Sequence, residues 1–250
     1  MAYDQFKKAA VLIIGNEILS GRTREANLAY IAEKLAQNGI IIKEARVISD
    51  DVDVIVEHLN VLRNQYAYVF TTGGIGPTHD DMTIESVAKA FGVPVVEDAH
   101  ALELLKKYYG DKLNEARRRM ARIPEGATLI HNPISAAPGA NIGNVYVLPG
   151  VPSIMQAMVD GLMPSLAGGP PVVASSIACA APESMLADDL AAIASDFADV
   201  AIGSYPAIKN GQYALSLVVR GADAARVNAA AKKILLLAQK LDPTAILQAD

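Results

Sequence analysis

The sequence predicts an α/β protein. A three-layer parallel-sheet domain is expected over residues 1–168, followed by a small α+β domain over residues 169–250. Three observations carry this reading. Residues 9–14 (Ala-Ala-Val-Leu-Ile-Ile) are a continuous apolar run closed by Gly15, which suits a strand buried on both faces. Strand-like and helix-like patterns then alternate, which is the signature of a sheet covered on both sides. Finally, residues 167–171 (Ala-Gly-Gly-Pro-Pro) break the pattern, since Gly-Gly ends an element and Pro-Pro resists both helix and central strand.

The elements follow in order. Between residues 23 and 37 the apolar positions Ala26, Leu28, Ala29, Ile31, Ala32 and Leu35 recur at helical spacing, and Asn38-Gly39 supplies the stop. Residues 40–48 read as a second strand and 51–64 as a helix with Val52, Ile55, Val56 and Leu59 on one face. Residues 66–72 are a third strand, followed at once by glycines and a helix over 83–91. Residues 97–122 read as one helix carrying Arg117, Arg118 and Arg119. Short strands at 127–130 and 145–148 and a helix at 151–162 complete the first domain. In the second, strands are expected at 172–180, 200–205 and 215–220, and helices at 183–198 and 222–241.

Composition narrows the function classes. Hydrophobic residues make up 52% of the 250, so a sizeable core forms, and with aromatics at 5% and no Trp that core is aliphatic. The net charge of −5 argues against a general nucleic-acid binder. The longest apolar run has six residues, against the ~20 that a membrane helix needs, and the N-terminal residues lack the apolar core of a signal peptide. The single cysteine, Cys179, excludes an internal disulfide and a zinc finger. These features predict a soluble cytoplasmic protein bound to neither nucleic acid nor membrane. Cys179, Met155 and Met158 read as core residues.

The densest cluster of special residues is residues 72–83, Thr-Gly-Gly-Ile-Gly-Pro-Thr-His-Asp-Asp-Met-Thr. It lies where a parallel strand ends and a helix begins, the edge at which open α/β sheets bind ligands. Gly73, Gly74 and Gly76 let the backbone turn its N–H groups toward one anion, and the helix start adds its positive dipole end. The loop is neither a Walker A motif nor a G-x-G-x-x-G, since it has no lysine and His79 stands where a third glycine belongs. Asp80 and Asp81 would repel a phosphate unless a divalent cation lay between them. They equally suit helix capping, as does Thr83.

Glu17, within residues 15–21 (Gly-Asn-Glu-Ile-Leu-Ser-Gly), should emerge at the same sheet edge. It reads as a metal ligand, a general base or a solvated loop carboxylate. Residues 148–152 (Leu-Pro-Gly-Val-Pro) again end a strand and begin a helix, with Pro152 in the first turn leaving the amides of Gly150 and Val151 free. Residues 100–123 hold seven Lys/Arg against three Asp/Glu, either a phosphate clamp or a solvated basic helix.

Taken together, the segments 15–21, 72–83 and 148–152 resemble the molybdopterin-binding domain shared by MoaB, MogA and MoeA. The likeness is greatest to the version in the N-terminal part of CinA and in eukaryotic FAD synthases. Residues 132–139 (Asn-Pro-Ile-Ser-Ala-Ala-Pro-Gly) and 202–206 (Ile-Gly-Ser-Tyr-Pro) resemble further stretches of CinA-like proteins. The resemblance implies that phosphate or pyrophosphate binds at Gly73, Gly74, Gly76, Thr78 and Thr83, with Asn27, Pro149, Gly150 and Pro152 as further ligand contacts. It implies a divalent metal (Mg²⁺, Co²⁺ or Ni²⁺) held by Asp81 with Asp80 or Glu17, and Asp81 and Glu17 as catalytic groups. The implied activity is pyrophosphohydrolysis of ADP-ribose or FAD-like nucleotides, in a homo-oligomer. Molybdopterin binding or adenylylation, and a non-catalytic adaptor role, stay open. Asn16 and the pair Ser135-Ala136 depart from the usual pattern, and the C-terminal amidase of CinA is not among these residues.

Overall fold

The computed structural model describes residues 5–209 and 211–248. They divide into two compact units. One comprises Lys8–Ala36 and Ile40–Ala167, and the other is formed mainly from Gly168 onward.

In the first unit, β1 (Lys7–Ile14) leads through a four-residue helix α1 (Asn16–Leu19) to α2 (Asn27–Gln37) and β2 (Ile40–Ile48). Then come α3 (Val52–Gln65), β3 (Tyr68–Thr72) and α4 (Thr83–Phe91). A side excursion follows: β4 (Val95–Glu97), α5 (Ala99–Tyr109), α6 (Glu115–Arg118) and β5 (Arg122–Pro124). The chain returns through β6 (Thr128–Ile130), β7 (Gly139–Ile142) and β8 (Val145–Leu148) to α7 (Pro152–Leu162). The main sheet has the order β2-β1-β3-β8-β7-β6. β3 runs parallel to both β1 and β8, whereas β7 and β6 add antiparallel to the edge. The sheet is therefore mixed at one side and parallel where the glycine loop leaves it.

Alternation along β1 shows why there are three layers. Ala10, Leu12 and Ile14 enter a core with Ile55, Leu59 and Val87 of α3 and α4. Ala9, Val11 and Ile13 enter another with Ile31 and Leu35 of α2 and Met155 and Met158 of α7. Period-2 side chains on a strand packed on both faces give a run with no polar gap.

The stretch read as one helix over 97–122 is broken. Gly110 takes φ 51°, which ends α5, and Asn114 caps α6 by accepting from Arg117 N at 2.9 Å. β4 and β5 pair antiparallel across this excursion, bringing Glu97 opposite Arg122. Helix α2 starts at Asn27 rather than near residue 23, because the Glu25 carboxylate accepts from the N–H groups of Asn27 and Leu28 at 2.7 and 3.0 Å.

The second unit holds β9 (Val173–Cys179), α8 (Ala187–Asp196), β10 (Ala201–Lys209), β11 (Gln212–Gly221), α9 (Ala224–Gln239) and β12 (Ile246–Gln248). Its antiparallel sheet has the order β10-β11-β9-β12. Leu215, Leu217 and Val219 alternate inward against Val227, Ala230 and Ile234 of α9. Cys179 is buried in this core, and burial pushes its thiol pKa up.

Candidate functional site

The loop from Gly73 to Met82 leaves the carboxyl end of β3. Gly73 and Gly74 take φ 101° and 65°, which glycine alone adopts at no steric cost. Contact leaves no choice either. A Cβ on Gly73 would collide with the Ile14 carbonyl oxygen, and one on Gly74 with Thr83 Oγ1. Thr83 pins the turn from the far side: its hydroxyl donates to Gly73 O at 2.9 Å and its N–H to Gly74 O at 3.0 Å. Gly73 N donates to Leu148 O at 3.1 Å, which ties the loop to β8.

What remains is a run of three amides. Among the described residues, the N–H groups of Gly74, Ile75 and Gly76 have no acceptor. No side chain caps α4, whose flanking residue is Met82. The expected capping roles of Asp81 and Thr83 are thus replaced. Thr83 locks the glycine turn, and Asp81 Oδ2 accepts from Thr78 N at 2.8 Å and from the Thr78 hydroxyl. Asp80 is drawn below the usual carboxylate range first by the same Thr78 hydroxyl, then by its own backbone N–H. One hydroxyl proton serves one carboxylate at a time, and the contact to Asp81 is the short one. His79 is exposed, 3.9 Å from Asp80.

Gly76, Thr78 and Asp81 line a cleft of about 280 Å³ whose other wall carries Glu85, Arg119 and Arg122. The basic segment is therefore neither wholly clamp nor wholly solvated face. Arg117 lies over the Tyr109 ring at 4.6 Å, and Arg118 forks onto Glu97 at 2.5 and 2.9 Å. Arg122 meets Glu85 at 3.0 Å. The Arg119 guanidinium alone of these four has no partner among the described residues. Nothing in the sequence separates Arg119 from its neighbours; the signal lies in which arginines the fold gives a carboxylate or a ring.

Glu17 and Asn27 lie elsewhere. Together with Arg24, Thr72, Gly150 and Pro152 they line a second cavity of about 60 Å³. Gly150 approaches the glycine loop closely, since a Cβ on it would stand 3.3 Å from Gly73 Cα. The amides of Gly150 and Val151 have no acceptor among the described residues, and Pro152 opens α7, with Pro149 completing the turn before it. Asp50, which the sequence reading passed over, holds the Gly15 loop by accepting from Asn16 N at 3.0 Å. Thus Gly76, Thr78 and Asp81 converge on one cleft, and Glu17, Asn27, Gly150 and Pro152 on the other. Among the described residues no three His, Cys, Asp or Glu side chains form a group able to hold a metal ion. Asp80, Asp81 and Glu17 are not gathered into a cage.

A doubly covered α/β sheet with an open-amide loop at its carboxyl edge defines an α/β protein of the kind that places ligand sites at that edge. The chain belongs to the family described as probable molybdopterin binding domain, whose model matches residues 10–168. Residues 171–249 match the model described as the middle domain of FAD synthase. A protein of Archaeoglobus fulgidus is 36% identical over 196 residues, covering 78% of this chain and 84% of the relative. One of Pyrococcus furiosus is 38% identical over 170 residues, 61% of this chain and 66% of the relative. Among solved structures, the protein CinA of unknown function from Thermoplasma acidophilum is 39% identical. Its TM-score is 0.60, over 64% of this chain and 98% of that one, so the first unit is a CinA-type N-terminal domain. No helix of the described residues is long and apolar enough to cross a membrane.

Proposed function

We propose that the first unit binds the pyrophosphate of a nucleotide such as ADP-ribose or FAD at the Gly74–Gly76 amides and hydrolyses it with a divalent cation. The observation that carries this reading is the run of three uncommitted amides, two of whose residues, Ile75 and Gly76, line the 280 Å³ cleft that Arg119, without a partner among the described residues, also lines. Backbone dipoles fixed by the Thr83 lock need no reorganisation as charge builds on the phosphate, and a guanidinium matches phosphate oxygens in pairs. The donor set suits Mg²⁺, which keeps several waters and takes one or two carboxylates plus substrate phosphates rather than a full protein cage. Asp81, oriented by Thr78, with Asp80 beside it, would hold that ion. Once bound, the ion neutralises phosphate charge and lowers the pKa of a coordinated water. Glu17 is left as a group acting on the other end of the substrate.

The test is hydrolysis of ADP-ribose and of FAD with Mg²⁺, Co²⁺ or Ni²⁺. An active protein should lose at least about a hundredfold in Asp81→Ala. Turnover no greater than that of Asp81→Ala with every metal would sink the proposal. A second reading, binding or adenylylation of molybdopterin, is favoured by the description of the matched family. It calls for capture of molybdopterin in the same cleft without cleavage of ADP-ribose or FAD.

A further inference from the structure

Asn27 opens α2 and is 6% exposed. Its Nδ2 donates to Gly150 O at 2.9 Å, whereas its Oδ1 is shielded from solvent and accepts from nothing among the described residues. The Gly150 carbonyl fixes which way the amide faces, because exchanging O and N would set two acceptors against each other. At the end of β3, Thr72 is 1% exposed and its hydroxyl also has no partner among the described residues. Both residues line the 60 Å³ cavity, and the exposed Glu17 and Arg24 line it too. A buried polar atom with no partner costs free energy that a ligand can return.

The chemistry needed is a donor. At neutral pH the diester pyrophosphate of a dinucleotide offers only acceptor oxygens, which leave Asn27 Oδ1 as it is. A hydroxyl is both donor and acceptor, so one group has the chemistry to donate to Oδ1 and to accept from Thr72 Oγ1. The cavity has room for one or two groups the size of water. We infer that it is a hydroxyl-recognising subsite, taking a sugar hydroxyl of the nucleotide whose pyrophosphate sits on the glycine loop. This rests on the pyrophosphate reading above, and it makes Asn27, a ligand contact of unspecified chemistry in the resemblance, a sugar contact.

The test is calorimetric titration of the full chain and of Thr72→Val with two probes, ADP-ribose and inorganic pyrophosphate. Valine keeps the shape of threonine and puts a methyl group in place of the hydroxyl. The expected result is about tenfold weaker ADP-ribose binding in Thr72→Val with pyrophosphate binding unchanged. The ligand-free melting temperature should be unchanged or raised, since the lost hydroxyl had no partner. Unchanged ADP-ribose affinity, or equal loss for both probes, would overturn the subsite while leaving pyrophosphate binding intact as a reading. A lowered melting temperature would also overturn it, by showing that an internal water already satisfies the hydroxyl. If the unmodified protein binds neither probe, the pyrophosphate reading itself falls and the subsite with it.

Discussion

Ala136 sits at φ 57°, the one non-glycine residue at positive φ among those described. It stands in the 132–139 stretch, where a departure from the family pattern was already visible. Its loop is held by Asn132, which is 5% exposed and uses every polar atom. Nδ2 donates to Ser135 Oγ and Ala137 O, and Oδ1 accepts from Ile134 N and Ser135 N. An alanine in the left-handed region costs about 1–2 kcal/mol against its Cβ. Glycine removes that cost but gains freedom in the unfolded chain, which offsets part of it. Ala136→Gly should therefore stabilise the protein by about 1 kcal/mol, read as a raised denaturant midpoint at constant slope. A lower midpoint would show that the loop holds Ala136 without strain. At Gly74 the same backbone geometry works the other way, because there the space is filled by Thr83.

At the scale of elements, β2 lies at the sheet edge and carries a polar network on its outer half. Arg46 Nε meets Glu44 Oε1 at 2.6 Å, Tyr66 OH donates to Glu44 Oε2 at 2.8 Å, and Arg46 Nη1 meets His58 Nδ1 at 2.6 Å. The Arg46 and Tyr66 hydrogen bonds hold the Glu44 carboxyl below the usual carboxylate range. A depressed carboxylate adds stability that is present above its unfolded pKa of about 4.3 and is lost as pH falls through its folded value. Glu44→Gln should thus cost about 1 kcal/mol at pH 7, and the cost should shrink as pH falls below the unfolded value toward acid. A loss that stays constant down to the onset of acid unfolding would mean that packing, not charge, sets the cost. The sequence made the local elements readable, since β2 and α4 have the expected bounds and the glycine loop declares its amides. It did not show the break at Gly110 or the three-residue pairing of β4 with β5, because Glu97 meets Arg122 only through tertiary contact. For the same reason it could not tell Arg119 from Arg118: their side chains are alike, and a carboxylate 21 positions away takes one and not the other.

For the whole molecule, a net charge of −5 is no obstacle to the anionic ligand proposed, because the field that would attract it is local: the open amides of the glycine loop, the start of α4, and Arg119 on the same cleft as Ile75 and Gly76. Each of the two units has its own apolar core, one built on the faces of the mixed sheet and the other between the antiparallel sheet and α9. A core of its own is what allows a unit to melt as a separate cooperative transition. Scanning calorimetry should accordingly resolve two transitions. A ligand binding the native first unit raises only that unit's stability, by about 2.7 kcal/mol at a hundred times its dissociation constant. For a unit of this size that is a rise of about 5–10 °C. ADP-ribose should therefore move one transition and leave the other in place, and the one it moves should be the one that Ala136→Gly also raises, because Ala136 and the glycine loop share a unit. A ligand-induced rise in the transition that Ala136→Gly leaves alone would put the binding site in the second unit and sink the assignment of the anion to the Gly74–Gly76 amides.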